Sequence, residues 1–422
     1  MAKKERRLLV RKSKFLTGEI ECEGSKNATL MCLAGAALAD SNDEITLYNV
    51  PSISDVDVFV EILRICGKTV NREKNVLRMK GRLQLKRIPT RLTSAIRASS
   101  YFIGIFLSVL GNVEDLGVPG GDRIGERPLD IHLENMRKMG VEYVLTGGKL
   151  NARVVTQVYG KTLYLKFPSV GATCNLILLA INAVGKTIIL NAAKEPEVVE
   201  FGNLLVKMGA KISGVGTDHV TVWGGIELKG NVEYTISADR IETATYMVVA
   251  SLVGKNVKIQ KCIPYHNYPL IYVLRSIGIN VEYDDDSITI SRGEKLLPLD
   301  VIAMPFPGIA TDIQPLLVVL AISICGNSVI SDLVFPDRFQ YIYELIGMGA
   351  KIEKSGSKLD ICGGEIFGKA VEGNDIRAVV ALICAGLIAN GTTEIRGIQH
   401  LNRGYADIVT KLKLLGADIS VS

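Results

Sequence analysis

The sequence predicts an α/β protein made of six copies of one unit. Each copy reads roughly helix, strand, helix, strand, strand, with one more strand leading into the next copy. Three observations carry this reading. A helical run ending in glycine recurs at 63–67, 136–140, 205–209, 274–278, 345–349 and 412–416, with the glycines 67 to 73 residues apart. A more apolar helical run precedes each of them. A hairpin-like pair of short strands follows, clearest where 211–213 and 219–222 flank Gly214-Val215-Gly216-Thr217-Asp218. The period is too long for the common solenoids, so each copy is a small α/β module. Six modules group naturally as two lobes of three: 26–237 as the first, and 1–25 with 238–422 as the second. A hinge is expected near 234–239 and a second link near Gly24.

In chain order, residues 3–14 are rich in Lys and Arg and are expected to be a solvated arm. No long apolar segment with a cleavage site follows, so no secretory signal is expected. A first strand at 18–22 precedes the first apolar helix and is expected to complete the second lobe. The apolar helices fall at 28–39, 98–110, 172–184, 242–253, 313–325 and 376–389, each followed by a turn and a strand such as 187–190 or 257–259.

One stretch breaks the pattern: Val118-Pro119-Gly120-Gly121-Asp122-Arg123, running on to His132. Pro119 lacks a donor and Gly120-Gly121 can take φ > 0, so the chain turns here. Arg127-Pro128 then reads as a helix start, with Leu129, Leu133, Met136 and Met139 at helical spacing and Gly140 as the stop. The loop 118–123 is expected to be mobile, a lid carrying a carboxylate beside an anion site. The plainer alternative is a surface loop with two solvated charges.

The bulk composition is that of an ordinary globular chain: 422 residues, 48% apolar, 22% charged, formal charge +5. No apolar run reaches the length of a membrane span, and the modest spread of charge argues against nucleic acid. The eight cysteines form no Cys-x-x-Cys pair and read as buried thiols in a reducing, cytoplasmic compartment. The four histidines have no metal-ligand spacing, so neither a metal nor another cofactor is expected.

Charged and polar residues collect at the predicted helix starts. The apolar helices open at Ser25-Lys26-Asn27, Ser94 to Arg97, Ser169 to Thr173, Asp239 to Thr243, Ala310-Thr311-Asp312 and Asp375-Ile376-Arg377. The glycine-ended helices are expected to open at Arg127, Glu195, Arg338 and Arg403. Helix N-termini attract anions, and Lys26, Arg97, Arg127, Arg377 and Arg403 would turn them into a strongly anion-binding cleft between the lobes. Taken singly, Asp239, Asp312 and Asp375 read as N-caps. Asp312 is the candidate base should a substrate hydroxyl reach it, and His132 reads as a packed or exposed helix histidine.

Taken together these residues resemble the enolpyruvyl transferases, in the UDP-N-acetylglucosamine 1-carboxyvinyltransferase branch. The resemblance runs nearly end to end. It rests on Gly24-Ser25-Lys26-Asn27-Ala28, Arg97-Ala98-Ser99, Pro119-Gly120-Gly121, Arg127 to His132, Pro168 to Thr173, Asn191 to Glu197, Asp239 to Thr243, Thr311-Asp312, Asp375-Ile376-Arg377 and Arg403-Gly404-Tyr405. The sister family acting on shikimate 3-phosphate shares the fold, but its signatures are not evident. The resemblance implies a two-lobed inverted α/β barrel with three units per lobe. It also implies a reaction: phosphoenolpyruvate and UDP-N-acetylglucosamine give the 3-O-enolpyruvyl ether and phosphate through a tetrahedral addition intermediate. By motif, Lys26, Arg127 and Arg403 would hold phosphoenolpyruvate and Asn27 would orient the reacting centre. Arg97, Arg127, Pro128, Leu129, Asp130, Ile131, Phe167, Pro168, Ser169, Val170, Asp312 and Val334 would bind the nucleotide sugar. Asp312 would take the sugar hydroxyl proton, Asp122 would be the loop acid, and Asp375 and Arg377 would help close the site.

Three positions depart from the pattern. Asp122 stands where the family often has Cys, Asn402 where Asp is expected, and Arg123 is bulkier and more charged than usual. The alternatives are therefore an enolpyruvyl transferase for another uridine nucleotide such as UMP, or an inactive nucleotide-sugar-binding paralogue.

Overall fold

The computed structural model describes residues 6–39, 42–84, 86–122, 124–125 and 127–422. All six repeat glycines sit in the left-handed region: Gly67, Gly140, Gly209, Gly278, Gly349 and Gly416 have φ between 94° and 106°. Only glycine takes that conformation without steric cost, and it lets the chain reverse out of each helix. In five copies the next residue's N–H closes onto the helix, as Lys68 N to Leu63 O at 3.0 Å and Ala417 N to Leu412 O at 3.0 Å. The repeat is thus a repeated helix stop.

The chain divides into two compact units. One comprises Gly24–Gly121 and Arg127–Ser237; the other comprises Met1–Glu23, Asp122–Glu126 and Ala238–Ser422. The first unit is built around three helices, Lys26–Ala36, Tyr101–Val109 and Val170–Ala180, which pack on one another. They are apolar nearly all round, so every face can be buried. In Val170–Ala180, Leu176, Ile177, Leu178 and Leu179 have no exposed surface, each contributing about 1.5–3 kcal/mol relative to an exposed side chain. One polar pin crosses this core: Asn175 Oδ1 accepts from Gly104 N at 2.9 Å, and its Nδ2 donates to Ser100 O at 3.0 Å. Three sheets surround the helices. Val232–Thr235 pairs in parallel with Ile45–Tyr48, so the last strand of the third copy joins the sheet of the first.

The second unit repeats the plan with Arg240–Val253, Gln314–Ile322 and Ile376–Ile388. The N-terminal strands complete its sheets. Leu16–Glu21 pairs in parallel with Gly254–Gln260, and Leu8–Arg11 lies antiparallel between Thr392–Arg396 and Ile419–Val421. The solvated arm expected at 3–14 is therefore corrected over its described part. Leu8 and Val10 are fully buried, because their alternation directs both into the core. Residues 3–5 lie outside the described residues.

Two further expectations change. The apolar helix starts differ from those expected by up to three residues. The cysteines are not all buried: Cys325 lies exposed beyond the end of Gln314–Ile322, and Cys362 points outward at the end of strand Lys358–Cys362.

Candidate active site

In the first unit the charged residues gather at helix starts and on the loop that follows Asn112–Gly117. Ser25 caps helix Lys26–Ala36 by accepting from Ala28 N at 3.3 Å, leaving Lys26 as the first helical residue. Lys26 Nζ lies 3.7 Å from the buried Asp55 carboxylate. Asn27 follows, half-buried. Ser169 caps Val170–Ala180 in the same way, accepting from Ala172 N at 3.2 Å, with Phe167, Pro168 and Val170 half-buried around it.

Arg97 opens a short 3-10 turn and ties two loop carbonyls together. Its guanidinium donates to Pro119 O at 3.3 Å and to Arg127 O. Burial and the neighbouring Arg127 push Arg97 down to about 10, so it stays protonated at neutral pH. Arg127 in turn donates to Gly120 O at 3.4 Å. Gly120 is required by a close approach: a Cβ there would stand 1.8 Å from Ser94 O. Backbone bonds from Gly120 N to Thr93 O and Gly121 N to Ser94 O hold this part of the loop against the turn beneath. Pro128 is not at the first helical position; the helix runs Asp130–Lys138, because Leu129 at φ −92°, ψ 8° has not yet entered it. Asp130 then occupies the first turn, where a carboxylate suits the helix dipole. Lys166 hydrogen-bonds Asp130 and holds its carboxyl below the usual range.

His132, two residues further along the helix, is buried. Asn175 Nδ2 lies 2.9 Å from its Nδ1. Because Asn175 Oδ1 is already spent on Gly104 N, the amide donates and Nδ1 accepts, which puts the ring proton on Nε2. Burial, helped by Arg97, pushes His132 down to about 3, so the ring is neutral. Its Cε1 and Nε2 lie 3.0 and 3.3 Å from where a Cβ on Gly171 would stand, at the start of helix Val170–Ala180.

The second unit holds a denser network. Asp312 is no cap: helix Gln314–Ile322 has no side-chain cap, and Asp312 instead receives Arg338 Nη1 at 2.6 Å and Arg377 Nη2 at 2.9 Å. Both arginines are 4% exposed or less, whereas Asp312 keeps 26% of its side chain exposed. Burial disfavours charge on Arg377, but Tyr405, Asp312 and Asp239 more than offset it and keep it protonated. Arg377 also donates to Tyr405 Oη, whose ring it overlies at 5.2 Å. Burial pushes the Tyr405 hydroxyl up to about 12. Thr311 Oγ1 donates to the fully buried Asp332 at 2.6 Å, and Asp332 Oδ1 accepts from Val334 N at 2.9 Å, which orders the loop bearing Val334. Asp122 forms an ion pair with Arg403, both side chains less than a fifth exposed.

Three carboxylates have structural duties. Asp239 caps Arg240–Val253, and Asp375 Oδ1 caps Ile376–Ile388 by accepting from Arg377 N at 2.8 Å and Ala378 N at 3.0 Å. Glu242 accepts from Glu23 N at 2.7 Å and from Lys411 at 2.8 Å. Arg338 and Arg403 were expected at helix starts and are not there. Arg403 ends the 3-10 turn Ile398–Arg403, which carries Asn402 exposed on its surface, and Arg338 precedes helix Ile342–Gly347 by several residues. Arg338 joins the site without a local signal, because its pairing with Asp312 spans 26 residues. Arg123 lies outside the described residues. Among the described residues no group of three His, Cys, Asp or Glu side chains could hold a metal ion, and no helix is long and apolar enough to cross a membrane.

The chain belongs to the enolpyruvyl transferase family, as its match to a family model over most of its length and its relatives show. The family model for EPSP synthase (3-phosphoshikimate 1-carboxyvinyltransferase) matches residues 10–412. Among curated relatives, UDP-N-acetylglucosamine 1-carboxyvinyltransferase 1 of Caldanaerobacter subterraneus subsp. tengcongensis is 38% identical over 98% of this chain and 99% of that protein. UDP-N-acetylglucosamine 1-carboxyvinyltransferase 2 of Listeria monocytogenes is 37% identical over 99% of this chain and 98% of its own length. The crystal structure of the enolpyruvyl transferase NikO from Streptomyces tendae superposes with a TM-score of 0.89 at 24% identity, covering 99% of each chain. The fold is thus that of the enolpyruvyl transferases.

Proposed function

We propose that this protein transfers the enolpyruvyl group of phosphoenolpyruvate to the 3-hydroxyl of UDP-N-acetylglucosamine, releasing phosphate, in the cytoplasm as the first committed step of peptidoglycan precursor synthesis. The observation that carries the chemistry is the Asp312 carboxylate, held by Arg338 and Arg377 yet partly exposed. Two guanidiniums fix its orientation, and its exposed part leaves an oxygen open to a hydroxyl. The acceptor follows from the names of the relatives, 37–38% identical over nearly the whole chain.

In this reading Asp312 takes the 3-hydroxyl proton as the sugar oxygen bonds to C2 of phosphoenolpyruvate, while C3 is protonated by Asp122. The tetrahedral adduct then returns a C3 proton to the Asp122 carboxylate as the bond from C2 to the phosphate oxygen breaks, the proton held by Asp312 passes to the departing phosphate, and the enol ether and phosphate leave. Lys26, Arg127 and Arg403 hold the anionic substrate, Asn27 orients its reacting carbon, and Arg377 and Asp375 support closure. Arg97, Pro128, Leu129, Asp130, Ile131, Phe167, Pro168, Ser169, Val170 and Val334 bind the nucleotide sugar. Arg403 is paired with Asp122 in the structure, and phosphoenolpyruvate bound at Arg403 takes the place of that carboxylate.

The test is phosphate release from phosphoenolpyruvate with a panel of acceptors. Release with UDP-N-acetylglucosamine and none with UMP is expected. Release with UMP alone overturns the acceptor, and no release with any nucleotide overturns the reaction.

A further inference from the structure

Far along the chain from these residues, the second unit carries an exposed aromatic face. Tyr265 sits in the 3-10 turn Pro264–Asn267, and Tyr268 and Tyr272 lie one turn apart on helix Tyr268–Ser276. Tyr283 ends the next strand, Asn280–Tyr283. Their exposures are 66%, 44%, 75% and 39%. Four of the chain's 14 tyrosines thus stand open within one short stretch, more apolar ring surface than solvation alone requires. The rings are already organised: Tyr265 meets Tyr268 edge-on at 5.4 Å, and Tyr268 meets Tyr283 at 5.6 Å. Tyr268, Ile271, Tyr272, Arg275, Ser276 and Tyr283 line a groove of about 550 Å³. Tyrosines that pay little entropy on binding are typical anchors of protein interfaces.

The charge around the groove selects the occupant. Glu282, Asp284, Asp285 and Asp286 are all exposed beside Tyr283. The cation at hand, Arg275, is tied to Val281 O at 2.6 Å and stacks over the Tyr283 ring at 5.0 Å. The patch is therefore acidic on a chain of formal charge +5. A second copy docking by a two-fold axis would set the same acidic run against itself, which disfavours self-association. Arg275 displays within the fold the contact a ligand would make, a guanidinium over a tyrosine face.

We propose that this face is a docking site for an extended, basic segment of a partner protein. Its Arg or Lys side chains stack on Tyr268 and Tyr272 while flanking cations meet Asp284, Asp285 and Asp286. The probe is a fluorescently labelled arginine–glycine dodecapeptide, with a glutamate–glycine dodecapeptide as its charge-reversed control, titrated with the full chain. The arginine peptide should bind and the glutamate peptide should not. Tyr272→Ala should weaken binding about tenfold. The combined Asp284→Asn, Asp285→Asn and Asp286→Asn variant should weaken it by a similar factor and flatten its salt dependence. Both variants should keep full phosphate-release activity, because the altered groups lie outside the residues assigned to the reaction. Equal affinity across wild type and variants, or equal binding of the glutamate peptide, would overturn the proposal. So would dimers in sedimentation that vanish in Tyr272→Ala, since they would make a second copy the occupant.

Discussion

Lowering the pH probes the His132 environment directly. The ring is buried, accepts from Asn175, and is held down to about 3 by burial and by Arg97. In an unfolded chain a histidine titrates near 6.5. The folded value lies below the unfolded one, so across that interval the unfolded chain binds a proton that the folded chain refuses. The stability contribution is complete above about pH 6.5 and is lost as the pH falls toward 3. Each unit inside the window costs about 1.4 kcal/mol, so going from pH 7.5 to 5 should remove about 2 kcal/mol, and the limit near pH 3 is about 5 kcal/mol. The assay is urea unfolding of wild type and His132→Gln at both pH values. Glutamine keeps an acceptor for Asn175 and does not titrate. The gap between wild type and variant at pH 7.5 should shrink by about 2 kcal/mol at pH 5. His266, which burial pushes down to about 4, is present in both proteins and cancels. Equal acid losses in the two proteins would refute the reasoning, as would a ring nitrogen resonance of His132 that titrates near 6.5 in the folded protein.

Lys26→Ala and Arg403→Ala should each lower turnover by roughly a hundredfold without unfolding the protein, because they remove charge that acts on the reacting anion; near-normal turnover would mean the residue is structural. Arg338→Met should keep the stem volume but leave Asp312 with Arg377 alone, lowering kcat by about tenfold or more with little change in KM; an unchanged kcat would remove Arg338 from the positioning of Asp312. Fosfomycin, an epoxide that alkylates the loop cysteine of resembling enzymes, should not inactivate the wild-type protein, since a carboxylate is a far weaker nucleophile than a thiolate. Asp122→Cys should gain time-dependent inactivation and a mass increase of one inhibitor on residue 122; labelling of the wild type elsewhere with loss of activity would refute this.

By itself the sequence determined the repeat, the apolar helices and the cations that collect near their starts. These are local properties. Gly67 or Gly209 announces a helix stop because a left-handed residue is needed there and only glycine adopts it freely. An apolar run such as 172–180 announces a buried helix because no polar face is left to solvate. Even here locality misled: Leu8 and Val10 sit among basic residues, so a core strand looked like a charged arm until its partners Thr392–Arg396 and Ile419–Val421 were in view. What each charged side chain does was decided only by the tertiary structure. Asp239, Asp312 and Asp375 look alike in sequence as acidic residues before apolar helices. Two of them satisfy N–H groups two or three residues away, while Asp312 is turned to Arg338 and Arg377, 26 and 65 residues distant. Capping is a local hydrogen bond and can be anticipated from spacing. An ion pair between elements depends on how whole modules pack, and no periodicity encodes which arginine will arrive. The pairing of Asp122 with Arg403 is the same case across 281 residues, and it exists only because folding carries the loop to the 3-10 turn that ends at Arg403.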